Sequence, residues 1–334
     1  MTSSSAPTSA NAGQPDRQGR GRVDFLQRTL DGWLDGSAYA LVGIGLALTF
    51  GTLRRLNLAY GAGAMLAAYA GSWLFTRYGA SAWLVAPFVV GLAALIGLYV
   101  ERLCFASGRD NLQDGATRGT VAGLGFDARE VVALASSFAI WMQLEQLAVN
   151  LLPRHLNIFP SLAVTAEWSA GGLQLRADRL LLAALAVTLA LGLAHWLTTS
   201  RTGLAWRAAA TQRTAAHLVG IPVVRQQALA FAVACGFSGV AAFAVLAIEG
   251  QVTPMFGMWV LIKGLVAAML GGLRSIRGVL VGGWVLGIVE AHAQALFGAV
   301  GREFATYALL FAVLVLVQPR RGSGLLASGA HDAR

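Results

Sequence analysis

Residues 179–198 read RLLLAALAVTLALGLAHWLT, and after Arg179 they carry no titratable side chain except His195. A helix rises 1.5 Å per residue, so about 20 such residues span the roughly 30 Å hydrocarbon core of a bilayer. Working outward, comparable apolar runs recur at 34–53, 56–76, 81–101, 130–152, 226–248, 258–272, 278–297 and 303–318. The whole chain of 334 residues is 56% hydrophobic and 12% charged, with a mean hydropathy of +0.63. A soluble domain carries about 25% charged residues. The expected fold is all-α, a polytopic transmembrane helix bundle of eight to nine spans.

Some of those spans are expected to be broken helices. The joints Leu53–Asn57 and Leu273–Arg277 are too short for ordinary loops, carry two arginines each and are followed by glycines. Irregular backbone at membrane depth survives only where protein buries it or it lines a cavity. Residues 1–31 are expected to be a disordered tail, being rich in Ser, Gly, Gln and Arg and lacking the apolar core of a signal peptide. A membrane domain then fills 32–320, and 321–334 form a cytoplasmic tail.

Net charge is +9, and Lys263 is the only lysine. The arginines sit in short loops between apolar runs, which points to positive-inside topology and away from nucleic acid. With the N-terminus outside and the C-terminus inside, the cytoplasmic segments (54–55, 102–129, 199–225, 273–277 and the C-terminal tail) hold 15 arginines. The extracytoplasmic loops hold five, namely Arg77, Arg154, Arg176, Arg179 and Arg302. Trp33, Trp73, Trp83 and Trp168 fall near extracytoplasmic ends, as interfacial belts require, and 153–178 is the largest outer loop.

Motifs for chemistry are missing from the sequence. It has no GxxxxGK[ST] loop to cradle ATP, no HExxH and no GxSxG, and Cys104 and Cys235 have no disulfide or zinc spacing. No catalytic residue, metal or cofactor is expected in this chain. Transport remains, and any energy from ATP has to come from another subunit.

Residues 200–221 (SRTGLAWRAAATQRTAAHLVGI) are expected to form a cytoplasmic helix, stopped by Gly220 and Pro222. At about 100° per residue, Leu204, Ala208, Thr211, Ala215 and Leu218 fall within about 80° of arc, with Arg207 beside that stripe. On periodicity alone, docking on a partner protein and lying on the membrane surface are equally open.

Three motifs break that tie. Ser200, Arg201, Gly203, Ala205, Arg207, Ala208, Ala210, Ala216, Leu218, Gly220 and Ile221 follow S-R-x-G-x-A-x-R-A-x-A-x5-A-x-L-x-G-I. Gly36-Ser37-Ala38-Tyr39-Ala40-Leu41 and Asn57-Leu58-Ala59-Tyr60-Gly61 follow G-S-x-Y-A-L and N-F-A-H-G. Lys263, Ala267, Ala268, Leu270, Gly271, Gly272, Ser275, Ile276, Gly278, Gly282, Gly283, Gly287, Ile288 and Glu290 follow a third pattern near the end. Over about residues 32–320 the chain resembles the permeases of branched-chain amino-acid ABC importers. Leu204, Thr211, Tyr60, Ala62, Arg274 and Arg277 depart from the pattern.

The resemblance implies a coupling helix at about 201–221, with Arg201, Gly203, Arg207, Ala208, Ala216 and Gly220 docking on an ATPase. It implies two ATPase subunits that hold ATP and Mg, a second related permease, an extracytoplasmic solute-binding protein and a bacterial inner membrane. Leucine, isoleucine and valine are the implied solutes, with urea and short amides as relatives' solutes. An ion-coupled secondary transporter is the rival, but it needs two similar halves, and no convincing internal repeat is visible.

Charges inside apolar segments cost about 2.5–3.5 kcal/mol each to insert, so they mark candidate sites. Asn57, Tyr60, Gly61, Lys263, Gly271, Gly272 and Glu290 are the candidates for a translocation path. For Lys263 and Glu290 a buried ion pair between neighbouring spans is the alternative, and for Asn57 a hydrogen bond to freed backbone. Glu145, beside Gln143 and Gln146, is expected to be polar glue between helices. Gly278 with Gly282, and Gly283 with Gly287, are expected to pack helices closely, with a substrate path as the alternative.

Overall fold

In lipid each backbone N–H and C=O must find its partner inside its own segment, so apolar runs of this length fold as helices. The structure is a computed structural model that describes residues 17–53, 57–105, 128–151, 158–162, 167–170, 173–273 and 275–317. Expectations resting on Arg54, Arg55, most of the 102–129 loop, Arg154, Arg274, residues 1–16 and the tail 321–334 lie outside the described residues.

The helices are α1 (Arg17–Leu53), α2 (Ala59–Tyr78), α3 (Ala82–Val100), α4 (Ala128–Leu151), α5 (Ala177–Thr199), α6 (Arg201–Thr211), α7 (Arg213–Leu218), α8 (Val223–Glu249), α9 (Phe256–Gly271) and α10 (Ile276–Val317). Six of them are long and apolar enough to cross a membrane, and α9 is a shorter apolar helix. The polytopic helical bundle read from the sequence is thus the fold. One small antiparallel hairpin, β1 (Glu167–Ala170) with β2 (Leu173–Arg176), was not anticipated; it pairs Trp168 with Leu175.

Helices α1, α2, α8 and α9 form the interior, where Ile44, Tyr60, Met65, Phe231 and Val260 share one core. Helices α3, α4 and α5 are outer, and they expose Trp83, Leu95, Phe138 and Leu191. Such faces suit a lipid surround. The elements sort to two ends. At one end Gln27 exchanges two 2.9 Å hydrogen bonds with the backbone of Gln174. There too Phe159 N donates to Gly250 O at 2.9 Å, and Ser72 Oγ donates to Ile158 O at 2.7 Å. At the other end α6 lies under the end of α1, with Trp206 facing Gly51.

Three expectations need correction. Helix α1 starts at Arg17, inside the stretch read as a disordered tail. The polar composition hid its anchors: the Gln27–Gln174 pair, and Phe25 edge-on to His292 at 4.7 Å. The expected helix over 201–221 is two short helices, because Gln212 is extended at φ −143° and ψ 100°. And the spans expected at 278–297 and 303–318 lie in one element, α10, divided by Gly298.

Gly298 has φ 73° and ψ −161°, a region open in practice only to glycine. It is a reversal and not a gentle kink: Thr306 and Arg302 on the second arm reach back to Glu290 on the first. A straight helix would hold Glu290 and Thr306 roughly 24 Å apart.

Glycine sets the closest helix contacts. Gly32 and Gly36 of α1 lie against Gly283 and Gly287 of α10, backbone on backbone; a Cβ on Gly36 would stand 2.5 Å from Gly283 O and 2.9 Å from Trp284 Cα. The neighbouring face of α10 meets α9, where a Cβ on Gly282 would stand 2.5 Å from Ala267 O. In lipid, where no hydrophobic force drives helices together, such approach supplies the association. Replacing Gly36 by Leu is therefore expected to destabilise by about 1–3 kcal/mol or more, since only backbone stands in the way. Gly91, which has open space around it, is the control. The melting midpoint in detergent should fall for Gly36→Leu and hold for Gly91→Leu; equal midpoints would rule out the α1–α10 contact.

Candidate functional site

Lys263 of α9 and Glu290 of α10 are each 1% exposed, and they form an ion pair. Lys263 Nζ also donates to Thr306 Oγ1 at 2.7 Å and lies 5.5 Å from the centre of the Tyr39 ring. Thr306 donates to Glu290 Oε1. Tyr39 OH donates to Glu290 Oε2 at 2.9 Å, and Arg302 Nε donates to the same oxygen at 3.2 Å. Arg302 Nη2 completes the ring by donating to Tyr39 OH at 2.5 Å. Glu303 Oε1 stands 3.8 Å from Lys263 Nζ. Lys263 and Glu290 are the buried members, while the Arg302 and Glu303 side chains are 31% and 51% exposed. Removing either member of the buried pair leaves a buried charge without its nearest partner.

Outward from Glu290 and Arg302 opens a cleft of about 330 Å³ between the ends of α1, α5 and α10. Arg28, Asp31, Asp35 and Arg179 line it along with Tyr39, Glu290 and Arg302. Arg179 Nη1 lies 3.5 Å from Asp31 Oδ1 and 3.6 Å from Asp35 Oδ1, so one guanidinium is shared loosely by two carboxylates. The sequence reading had placed Arg179 and Arg302 among loop arginines and passed over Asp31 and Asp35. A signal was available: Asp31, Asp35 and Tyr39 recur every four residues and so share one face of α1. Arg302 could not be paired with Glu290 before the reversal at Gly298 was known.

The other path candidates lie elsewhere. Tyr60 is buried in the core, where its OH donates to Val42 O at 3.0 Å and fills the space left by Gly45. Asn57 Oδ1 accepts from Ala59 N at 3.1 Å at the start of α2; its Nδ2 has no partner among the described residues. Gly61 packs on the backbone of Gly257, and Gly271 on that of Gly278. Gly272, with φ 81° and open space around it, turns the chain from α9 into α10. None of these five lines the cleft; of the residues singled out from the sequence, Glu290 and the packing glycine Gly287 do. Glu145 accepts from Trp141 Nε1 at 2.8 Å on its own helix, and it bonds to no other helix among the described residues. Gln143 and Gln146 are exposed.

At the opposite end, Ser200 caps α6 by accepting from Gly203 N at 2.9 Å. Gly203, Trp206, Ala209 and Ala216 are buried against the bundle. Arg201, Leu204, Arg207, Ala208, Thr211, Ala215, Leu218 and Gly220 are exposed. The small stripe read from periodicity is therefore the outward face, and Gly203 and Ala216 belong to the inward one. A side chain at Gly203 would collide with Leu197 Cα, 2.6 Å from its Cβ.

A family model described as branched-chain amino acid transport system / permease component matches residues 28–318. The chain belongs to that family. Its relatives include the high-affinity branched-chain amino acid transport system permease protein LivH of Salmonella typhimurium. That protein is 27% identical over 310 residues, which cover 88% of this chain and 94% of the relative. The permease BraD of Pseudomonas aeruginosa, from a system of the same description, is 26% identical over 306 residues, covering 90% and 95%. This chain is accordingly a multi-pass membrane protein and a transport component.

The buried ring makes a stability test possible within this family member. Glu290→Gln should cost about 3–5 kcal/mol, because Lys263 then stays buried without its close carboxylate, and Lys263→Met should cost less, because Arg302 still pairs with Glu290 at 3.2 Å. The double variant Lys263→Met/Glu290→Gln should recover a large part of the loss. Melting midpoints of the three proteins in detergent give the coupling; additive losses would show that the two side chains do not act as a pair.

Proposed function

We propose that this chain is a permease subunit of an ABC importer for branched-chain amino acids in the bacterial inner membrane. It pairs with a second related permease, and two separate subunits hydrolyse ATP on the cytoplasmic side. A soluble binding protein delivers solute from outside. The N-terminus lies outside and the C-terminus inside, by the arginine distribution. Family membership supports the importer role, and the named systems of the relatives support the solute.

One observation carries the coupling role. The segment Arg201–Leu218 is clamped to the bundle through its inward residues and presents an outward face of small side chains flanked by Arg201 and Arg207. Trp206 lines one small void with Leu48 of α1, Leu193 and Trp196 of α5, and Ala230 and Val233 of α8. A load placed on α6 by an ATPase would therefore be felt by three long helices at once. The small outer residues allow a partner's groove to come close, and the arginines give it a charge to recognise.

Arg207→Glu reverses the charge on this outward face at an exposed position. The variant should insert and run monodisperse, yet lose the co-purifying ATPase and all ATP-driven leucine uptake in reconstituted vesicles. Recovery of an intact complex with normal uptake would remove the coupling role. Leucine uptake by the chain alone, driven by an ion gradient, would replace the importer by a secondary transporter.

A further inference from the structure

We propose that the mixed-charge cleft between α1, α5 and α10 is a solute subsite for a zwitterion of amino-acid size, its ammonium held by Asp31 and Asp35 and its carboxylate by Arg302 and Arg179. This rests on the reading above only in taking the solute to be an amino acid. The cleft, at about 330 Å³, falls at the small end of the roughly 300–1,000 Å³ range of small-molecule sites.

Charge balance argues for a zwitterion over a plain anion or cation. Arg28, Arg179 and Arg302 line the same space as Asp31, Asp35 and Glu290, so formal charges cancel and both signs are presented to a ligand. A ligand with both charges can meet both; one with a single charge answers only half of the lining. The wall formed by Gly287, Ala291 and Ala295 is small and apolar, and leaves room for a branched side chain.

The existing contacts leave capacity for a ligand. Arg176 and Asp178 close at 2.6 Å outside the cleft, whereas Arg179 stands 3.5 and 3.6 Å from Asp31 and Asp35. Arg179 Nε is buried and has no partner among the described residues. The Asp31 and Asp35 side chains are 35% and 39% exposed, and each carboxylate can accept several donors. Arg302 uses Nε on Glu290 and Nη2 on Tyr39, which leaves Nη1 for a carboxylate. An ammonium placed between Asp31 and Asp35 would take the position now shared by Arg179, and would turn that guanidinium toward the ligand's carboxylate.

The test uses the assembled permease–ATPase complex in lipid nanodiscs, without binding protein or nucleotide, and tritiated leucine as the probe. Competitors are 4-methylpentanoate, which lacks the ammonium, and isopentylamine, which lacks the carboxylate. Leucine should bind, and each competitor should be about tenfold weaker or more, the loss of one charge-assisted contact. Asp31→Asn/Asp35→Asn should weaken leucine by about tenfold and leave the acid unchanged. Arg179→Gln should weaken leucine and the acid together and spare the amine. A variant that fails to run as a monodisperse complex is replaced by the single Asp35→Asn, which keeps one carboxylate and should show the same selectivity change in smaller degree. No leucine binding, equal competition by all three compounds, or unchanged selectivity in these variants would overturn the subsite. ATP-driven leucine uptake by the unaltered system with its binding protein separates the two readings. Absent uptake removes the amino-acid importer, whereas normal uptake with no charge selectivity in the nanodiscs removes only the cleft.

Discussion

The contact on which the rest depends is backbone against backbone, between Gly32 and Gly36 of α1 and Gly283 and Gly287 of α10. Helix axes with larger side chains between them stand some 8–10 Å apart; here the backbones meet, and Tyr39 OH lies 2.9 Å from Glu290 Oε2. Removing the side chains at four positions lets the helices touch. The next turn of α1 then carries Tyr39 to Glu290, and the turn before it presents Asp35 to the cleft. Polar chemistry here is thus a consequence of an apolar packing choice one helix face away. The same helix α10 uses its adjoining face, Gly278 and Gly282, to seat α9, which brings Lys263 into reach.

Once those helices are seated, the ionic ring determines what the end of the chain can do. Beyond the reversal at Gly298, the second arm of α10 turns Phe304, Phe311 and Leu316 outward and packs Leu309 and Leu310 against the core. Arg302 and Thr306 tie it back to Glu290, and Glu303 stands near Lys263. Where these polar contacts are buried, at Glu290 and Thr306, each is strong while complete and costly when broken.

The membrane class, the places of the apolar helices and the family were legible because they rest on composition, periodicity and local motif. Each of the nine apolar stretches falls on a helix. Lys263 and Glu290 were singled out by the rarity of charge in lipid, which needs no three-dimensional knowledge. What escaped depended on chain reversals and on long-range anchors. Gly298 looks like any other of the 40 glycines, so Arg302 was assigned to a loop and not to a buried ring. The part of α1 before residue 31 is polar and reads as a tail, yet Gln27 stitches it to β2 and Phe25 packs on His292. Tyr60, Gly61 and Gly271 were singled out because they sit in family motifs. Their places in the structure show why a motif residue can serve packing: each fills or empties volume where two backbones cross.

Helix α1 gives a physical route from one end of the molecule to the other. It is unbroken from Arg17 to Leu53, so Asp35 in the cleft and Leu48 beside Trp206 are fixed relative to each other over about 20 Å of helix. A helix held by hydrogen bonds along its length moves as a body and transmits a displacement without loss over that distance. Pressure on α6 acts through Trp206 on the lower part of α1, and the upper part cannot stay where it is. There α1 meets α10 through the glycine contact and through Trp284, whose Nε1 donates to Ser37 Oγ at 3.1 Å and whose ring lies 5.5 Å from that of Trp33. A displacement of α1 would therefore be passed on to α10, and with it to Glu290 and Arg302, which share the cleft with Asp35 and Tyr39.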